Sequence, residues 1–147
     1  ESLMSTGMLA CRFFHASLAM VLLPDAHAQT AAVSLDEAKA LIGTIDEVTR
    51  ETEHNSSCLV QESKPFSASC QFYLLSVSCT PAKGDAGLLR LYFVNKANGD
   101  VLQSGEAGSI EEPSLAALQE SFRANHQLSP DTVRVAHSVE PEGCLYL

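Results

Sequence analysis

Basic residues are scarce in this chain: 9 Lys and Arg stand against 18 Asp and Glu in 147 residues, a formal net charge of −9 at pH 7. Neutralising phosphates takes a basic stripe, so nucleic acid is set aside as a partner. None of the 5 cysteines is paired at C-x-x-C spacing, which removes a thiol-redox motif and a zinc ribbon. The main apolar run, residues 13–23, has 11 residues, well short of the roughly 20 that span a bilayer. Catalytic signatures are missing too: there is no G-x-S-x-G, S-x-x-K or H-E-x-x-H, and no glycine-rich phosphate loop. Gly105-Glu106-Ala107-Gly108-Ser109 has its glycines and serine in the wrong order, and Thr80-Pro81-Ala82-Lys83 lies in a strand-ending turn. The turn around Asn98 lacks calcium ligands, because Val94 and Lys96 stand where oxygen donors would be needed. The chain therefore reads as a non-enzyme with no catalytic residue, no cofactor and no metal site.

What is present begins with an address. Residues 8–28 have the three parts of a secretory signal peptide: Arg12, the apolar run 13–23 ended by Pro24, and the small-residue site Ala26-His27-Ala28. This divides the chain into a signal peptide, 1–28, and one globular domain, 29–147, whose 46% apolar and 18% charged composition suits a real core. The start itself falls at Met4 or Met8 on this reading. Cleavage removes Cys11 and leaves Cys58, Cys70, Cys79 and Cys144, an even number suited to an oxidising compartment. Three pairings are possible. The preferred one is Cys58–Cys70 across a hairpin with Cys79–Cys144 tying the tail to the sheet. The protein is thus expected to be periplasmic or secreted, with no membrane span in its mature chain.

The domain is organised around residues 69–106. Tyr73, Leu75, Val77 and Cys79 alternate onto one strand face; Leu89, Leu91 and Phe93 share a face of the next strand, with Arg90 and Tyr92 opposite. Gly84-Asp85-Ala86-Gly87 and Asn98-Gly99 supply the turns, the second because both residues tolerate positive φ. Upstream, Ser34-Leu35-Asp36-Glu37 is a capping box, and Ala38, Leu41, Ile42, Ile45, Val48 and Thr52 form one apolar stripe. One helix is predicted to about Glu53, followed by a short strand at Cys58. Asn55-Ser56-Ser57 fits a glycosylation pattern that matters only in a eukaryotic secretory pathway. Val101-Leu102 starts a fourth strand. Glu111-Glu112-Pro113 opens a second helix with Leu115, Leu118 and Phe122 inward, which Ser129-Pro130 ends. Val133, Val135, His137 and Val139 alternate, predicting a last strand.

The expected fold class is α+β: an N-terminal helix on a curled antiparallel sheet of four to five strands, with a second helix near the C-terminus. This order of elements resembles cystatin-like and nuclear-transport-factor-like folds in outline. Phe93-Val94-Asn95-Lys96-Ala97-Asn98-Gly99-Asp100-Val101-Leu102 also resembles the hairpin of exported PepSY-type domains. No functional residue follows from either resemblance.

Two functional classes fit. The first is an exported binding protein, an inhibitor or immunity protein that neutralises a cell-wall hydrolase or toxin. Its acidic balance favours a basic protein partner met through loops bearing Glu106, Glu111, Glu112, Asn98 and Asp100. The second is a small-ligand carrier or degenerate enzyme with a pocket between helix and sheet. His54, His126 and His137 are read as a helix-end, a packed and a half-buried sheet residue. The alternative joins two of them with Lys64 or Lys83 as acid, base and phosphate clamp.

Overall fold

The structure, a computed structural model, describes residues 32–54, 57–65, 67–80, 89–141 and 144. The signal segment, the first glycine turn, Lys83 and most of the glycosylation pattern lie outside them. The elements run α1 (Leu35–Gly43), α2 (Asp46–His54), β1 (Cys58–Ser63), β2 (Phe72–Cys79), β3 (Leu89–Asn95), β4 (Val101–Gln103), α3 (Pro113–Asn125) and α4 (Pro130–His137). The sheet is antiparallel and open, in the order β1-β2-β3-β4, so the fold is α+β.

The capping box forms as expected: Ser34 Oγ accepts the Glu37 N–H at 3.3 Å, and Glu37 Oε2 accepts the Ser34 N–H at 2.8 Å. The expected single long helix is two. After Gly43 the Thr44 hydroxyl donates to the Leu41 carbonyl, and the Thr49 hydroxyl donates to the Gly43 carbonyl. Hydroxyls that take up helix-end carbonyls stop the helix, and the chain restarts at Asp46. The apolar stripe survives the break, since Ala38, Leu41, Ile42, Ile45 and Val48 are all buried while Thr52 is exposed.

Both faces of the sheet carry apolar side chains. In register, Leu75 lies opposite Tyr92 and Tyr73 opposite Val94, and these pack beneath α1, α2 and α3 with Val77, Val101, Leu115 and Phe122. Leu74 lies opposite Phe93, and this pair faces away from those helices, against Phe72, the Cys70–Cys144 disulfide and Val139. The helix-covered face of β3 is thus the Tyr92 face, and the Leu91–Phe93 face forms a second, smaller core.

Three expectations are corrected. The segment predicted as a last strand is α4. Ser129 Oγ accepts the Thr132 N–H at 3.1 Å and Pro130 occupies the first turn, so the residues read as a stop are a start. In the β3–β4 turn, where Asn95 N–H donates to Asp100 O at 2.8 Å around a four-residue loop, Gly99 takes positive φ (+77) but Asn98 does not. The disulfides are Cys58–Cys79 and Cys70–Cys144, not the preferred pairing. Cys58 stands directly opposite Cys79 in the β1–β2 register, which puts their side chains on one face within bonding reach.

Candidate interaction surface

An acidic corner forms where α2 and α3 begin. Asp46 and Glu47 occupy the first turn of α2, where the helix dipole favours negative charge. Glu112 precedes α3 but makes no cap bond to it; its Oε2 instead accepts the Asp46 backbone N–H at 2.7 Å. Glu47 Oε1 pairs with Arg90 Nη2 at 2.8 Å, and Glu106 Oε1 accepts from Gln103 Nε2 at 2.8 Å. Gln103 stands opposite Tyr92 in the β3–β4 register, so the corner closes over Tyr92. That residue is fully buried. Its phenol is pushed up to about 12, by burial first and then by the Glu47 carboxylate, with Arg90 opposing and Glu112 and Glu106 adding. Neither the Tyr92 hydroxyl nor Arg90 Nε has a hydrogen-bond partner among the described residues.

Of the five residues expected to form a partner surface, Glu106 and Glu111 are exposed and Glu112 is half-buried. Asn98 and Asp100 are interior, at 0% and 6% exposure. The Asn98 side chain donates to Asp100 Oδ2 at 2.6 Å and accepts the Asp100 N–H at 2.9 Å. Asp100 also takes Arg123 Nη2 at 2.5 Å and lies 2.8 Å from His137 Nδ1. A carboxylate held this way ties α3 and α4 to the β3–β4 loop. Of the corner's acids, Asp46 and Glu106 are therefore exposed and Glu47 and Glu112 half-buried, with Glu111 exposed next to Glu112 in sequence. Glu47, Arg90 and Tyr92 were missed in the sequence; acids two places after Thr44 were the signal for a new helix start, and hence for this corner.

The three histidines among the described residues occupy separate settings. His54 ends α2 with Nδ1 2.7 Å from the Arg50 carbonyl. His126 caps α3, tilts against the Phe122 ring at 4.3 Å and meets Glu37 at 2.8 Å. His137 ends α4 on Asp100, not on a strand. Among the described residues, no group of three or more His, Cys, Asp or Glu is placed to hold a metal, and no helix is long and apolar enough to cross a membrane. The space between the helices and the sheet is filled by side chains such as Leu41, Ile42, Leu75 and Tyr92, each at most 1% exposed. An open groove of 660 Å³ runs between α3 and α4, with Leu128 and Val133 among its lining residues.

No protein-family model matches the chain, and no curated protein is recognisably similar to it in sequence. In fold it is similar to a chain of a solved type VI secretion system effector–immunity complex from Pseudomonas protegens. That likeness has 15% identity and a TM-score of 0.54, over 74% of this chain and 91% of the other.

Proposed function

We propose that this chain is an exported, non-enzymatic binding protein that neutralises another exported protein, as an immunity protein or inhibitor does, and that its partner is basic. The observation that carries this reading is the fold likeness to a chain of an effector–immunity complex, which extends over nearly all of that chain. Two disulfides in a domain of this size accord with a periplasmic or secreted location. The acidic corner gives the partner a place to meet, since complementary charge steers association and selects partners. Two measurements test the reading. Intact mass of the protein from the periplasm of its native host should correspond to a chain starting at Gln29; a species retaining Cys11 overturns the export step. Purified antibacterial effectors of the same organism should include one basic protein that forms a stable complex with it and is neutralised by it. Failure of every such effector to bind sinks the immunity reading.

A further inference from the structure

Three features are not absorbed by the fold: the α3–α4 groove, the exposed leucines of the sheet, and the unpartnered hydroxyl under the acidic corner. The groove's cations are already engaged, Arg123 and His137 by Asp100 and Arg134 by Asp131, so no ligand charge is selected there. Leu59 and Leu89 lie in one row of the sheet on either side of Ser78, but nothing shows what covers them. The corner offers more.

A buried hydroxyl without a hydrogen bond loses the interaction it had with water and gains nothing in return. Tyr92 pays that penalty beside Arg90, two residues earlier on the same strand face, and beside Gln103 across the β3–β4 pair. The surrounding carboxylates each spend one oxygen internally: Glu47 Oε1 on Arg90, Glu106 Oε1 on Gln103, Glu112 Oε2 on the Asp46 N–H. Their other oxygens have no hydrogen-bond partner among the described residues. Arg90 is the one cation in the corner among the described residues. It is held through its terminal nitrogens alone, to Glu47 and to its neighbour's carbonyl, and its side chain is 40% exposed. An ion pair that exposed is weak, so Arg90 moves aside at little cost.

We propose that this corner receives a basic side chain of the protein partner, with the free oxygens of Glu47, Glu106 and Glu112 and the oxygen of Tyr92 accepting its N–H groups. An anion is rejected by the carboxylates. A guanidinium suits the site best, because its planar fork of donors reaches several acceptors at once, whereas an ammonium offers three donors from one point. The phenol stays neutral at physiological pH, so it adds an acceptor without adding repulsion. The inference rests on the binding-protein reading, and it names the surface and the partner chemistry that reading needs.

A small probe separates the two. The disulfide-bonded protein is titrated with N-acetyl-arginine amide, and its amide NMR shifts are followed, with the isosteric and neutral N-acetyl-citrulline amide in parallel. The arginine probe is expected to move the signals of Glu47, Arg90, Tyr92 and Glu106 saturably, and the citrulline probe not. Tyr92→Phe should weaken that binding about tenfold, the scale of one hydrogen bond to a charged group. It should leave the melting temperature unchanged or higher, since it deletes a hydroxyl with no hydrogen-bond partner among the described residues. Glu106→Gln, on an exposed loop, should weaken binding with no effect on folding. Equal shifts with citrulline, shifts elsewhere on the molecule, or binding indifferent to both variants would overturn the proposal. If the probe binds here and no effector does, the immunity reading fails and the site stands; if an effector binds while the probe and both variants do nothing, the reverse holds.

Discussion

Glu112 caps a helix to which it does not belong. Its carboxylate sits at the start of α3 yet accepts the Asp46 N–H of α2 at 2.7 Å, across 66 positions of sequence. The residue before α2 is Ile45, which has no side-chain acceptor, so the orphan donor of that helix is satisfied from outside. Ser114 reinforces the join, its hydroxyl donating to the Thr44 carbonyl at 2.9 Å. The two helix starts are locked together before the sheet is considered.

Glu112→Ala should therefore destabilise the protein by about 1 kcal/mol, the scale of a lost N-cap. Glu112→Gln keeps an acceptor at the same place and should retain most of that stability. Urea denaturation of the two variants distinguishes capping from bulk charge: equal losses would mean that charge alone matters.

Asp100 should be the least replaceable acid among the described residues. It is 6% exposed and gathers Arg123, His137 and the Asn98 side chain. Arg123→Met leaves that carboxylate buried without its strongest partner, at an expected loss of about 3 kcal/mol. Combining it with Asp100→Asn should recover part of the loss, because the stranded charge is gone. A double-mutant cycle by thermal or denaturant unfolding measures this, and simple additivity would contradict it.

Acid should loosen the contact between α1 and α3. The hydrogen bond from His126 first, then those from the Ser34 side chain and backbone, hold the Glu37 carboxyl down at about 2 against an ordinary 4.5. A carboxylate whose folded value is depressed stabilises fully above its unfolded value, and that stability drains away as pH falls from 4.5 towards 2. The pair is substantially exposed, so solvent screening keeps the effect to about 1 kcal/mol or less. Glu37→Gln should accordingly narrow the stability difference between pH 6 and pH 3 relative to the parent protein. An unchanged difference would show that the contact does not respond to acid.

The two disulfides should contribute unequally. Cys70–Cys144 closes 74 positions and Cys58–Cys79 closes 21. On the chain-entropy view these stabilise by about 4.5 and about 3 kcal/mol respectively. Replacing Cys70 and Cys144 together by Ala should lower the denaturation midpoint more than replacing Cys58 and Cys79. Peptide mapping without reduction checks the connectivity itself.

Local signals in the sequence carried through to the structure where short-range physics decides. The capping box at Ser34, the apolar stripe through Val48, the Pro113 helix start and strands β2 and β3 all formed. The failures share a cause in distant partners. Residues 132–139 alternate like a strand, but the Ser129 cap and docking against Asn95, whose side chain donates to the Ala136 carbonyl at 2.9 Å, make them helical. Asn98 and Asp100 look like exposed turn residues until Arg123 and His137 arrive from α3 and α4. Cysteine pairing depended on a register that no local pattern reveals. The acidic corner was half legible: Glu106 and Glu112 stood out as acids, while Glu47 and the buried Tyr92 went unnoticed.

The arrangement of the two disulfides bears on survival among proteases. The spans 58–79 and 70–144 overlap, so cutting any single peptide bond between Cys58 and Cys144 leaves both halves joined through sulfur. A nick inside that stretch, even in an exposed loop such as residues 104–108, releases no fragment. A cut between α2 and Cys58, outside both spans, frees the piece carrying α1 and α2. Resistance to digestion should therefore be governed by how tightly those two helices hold to the sheet.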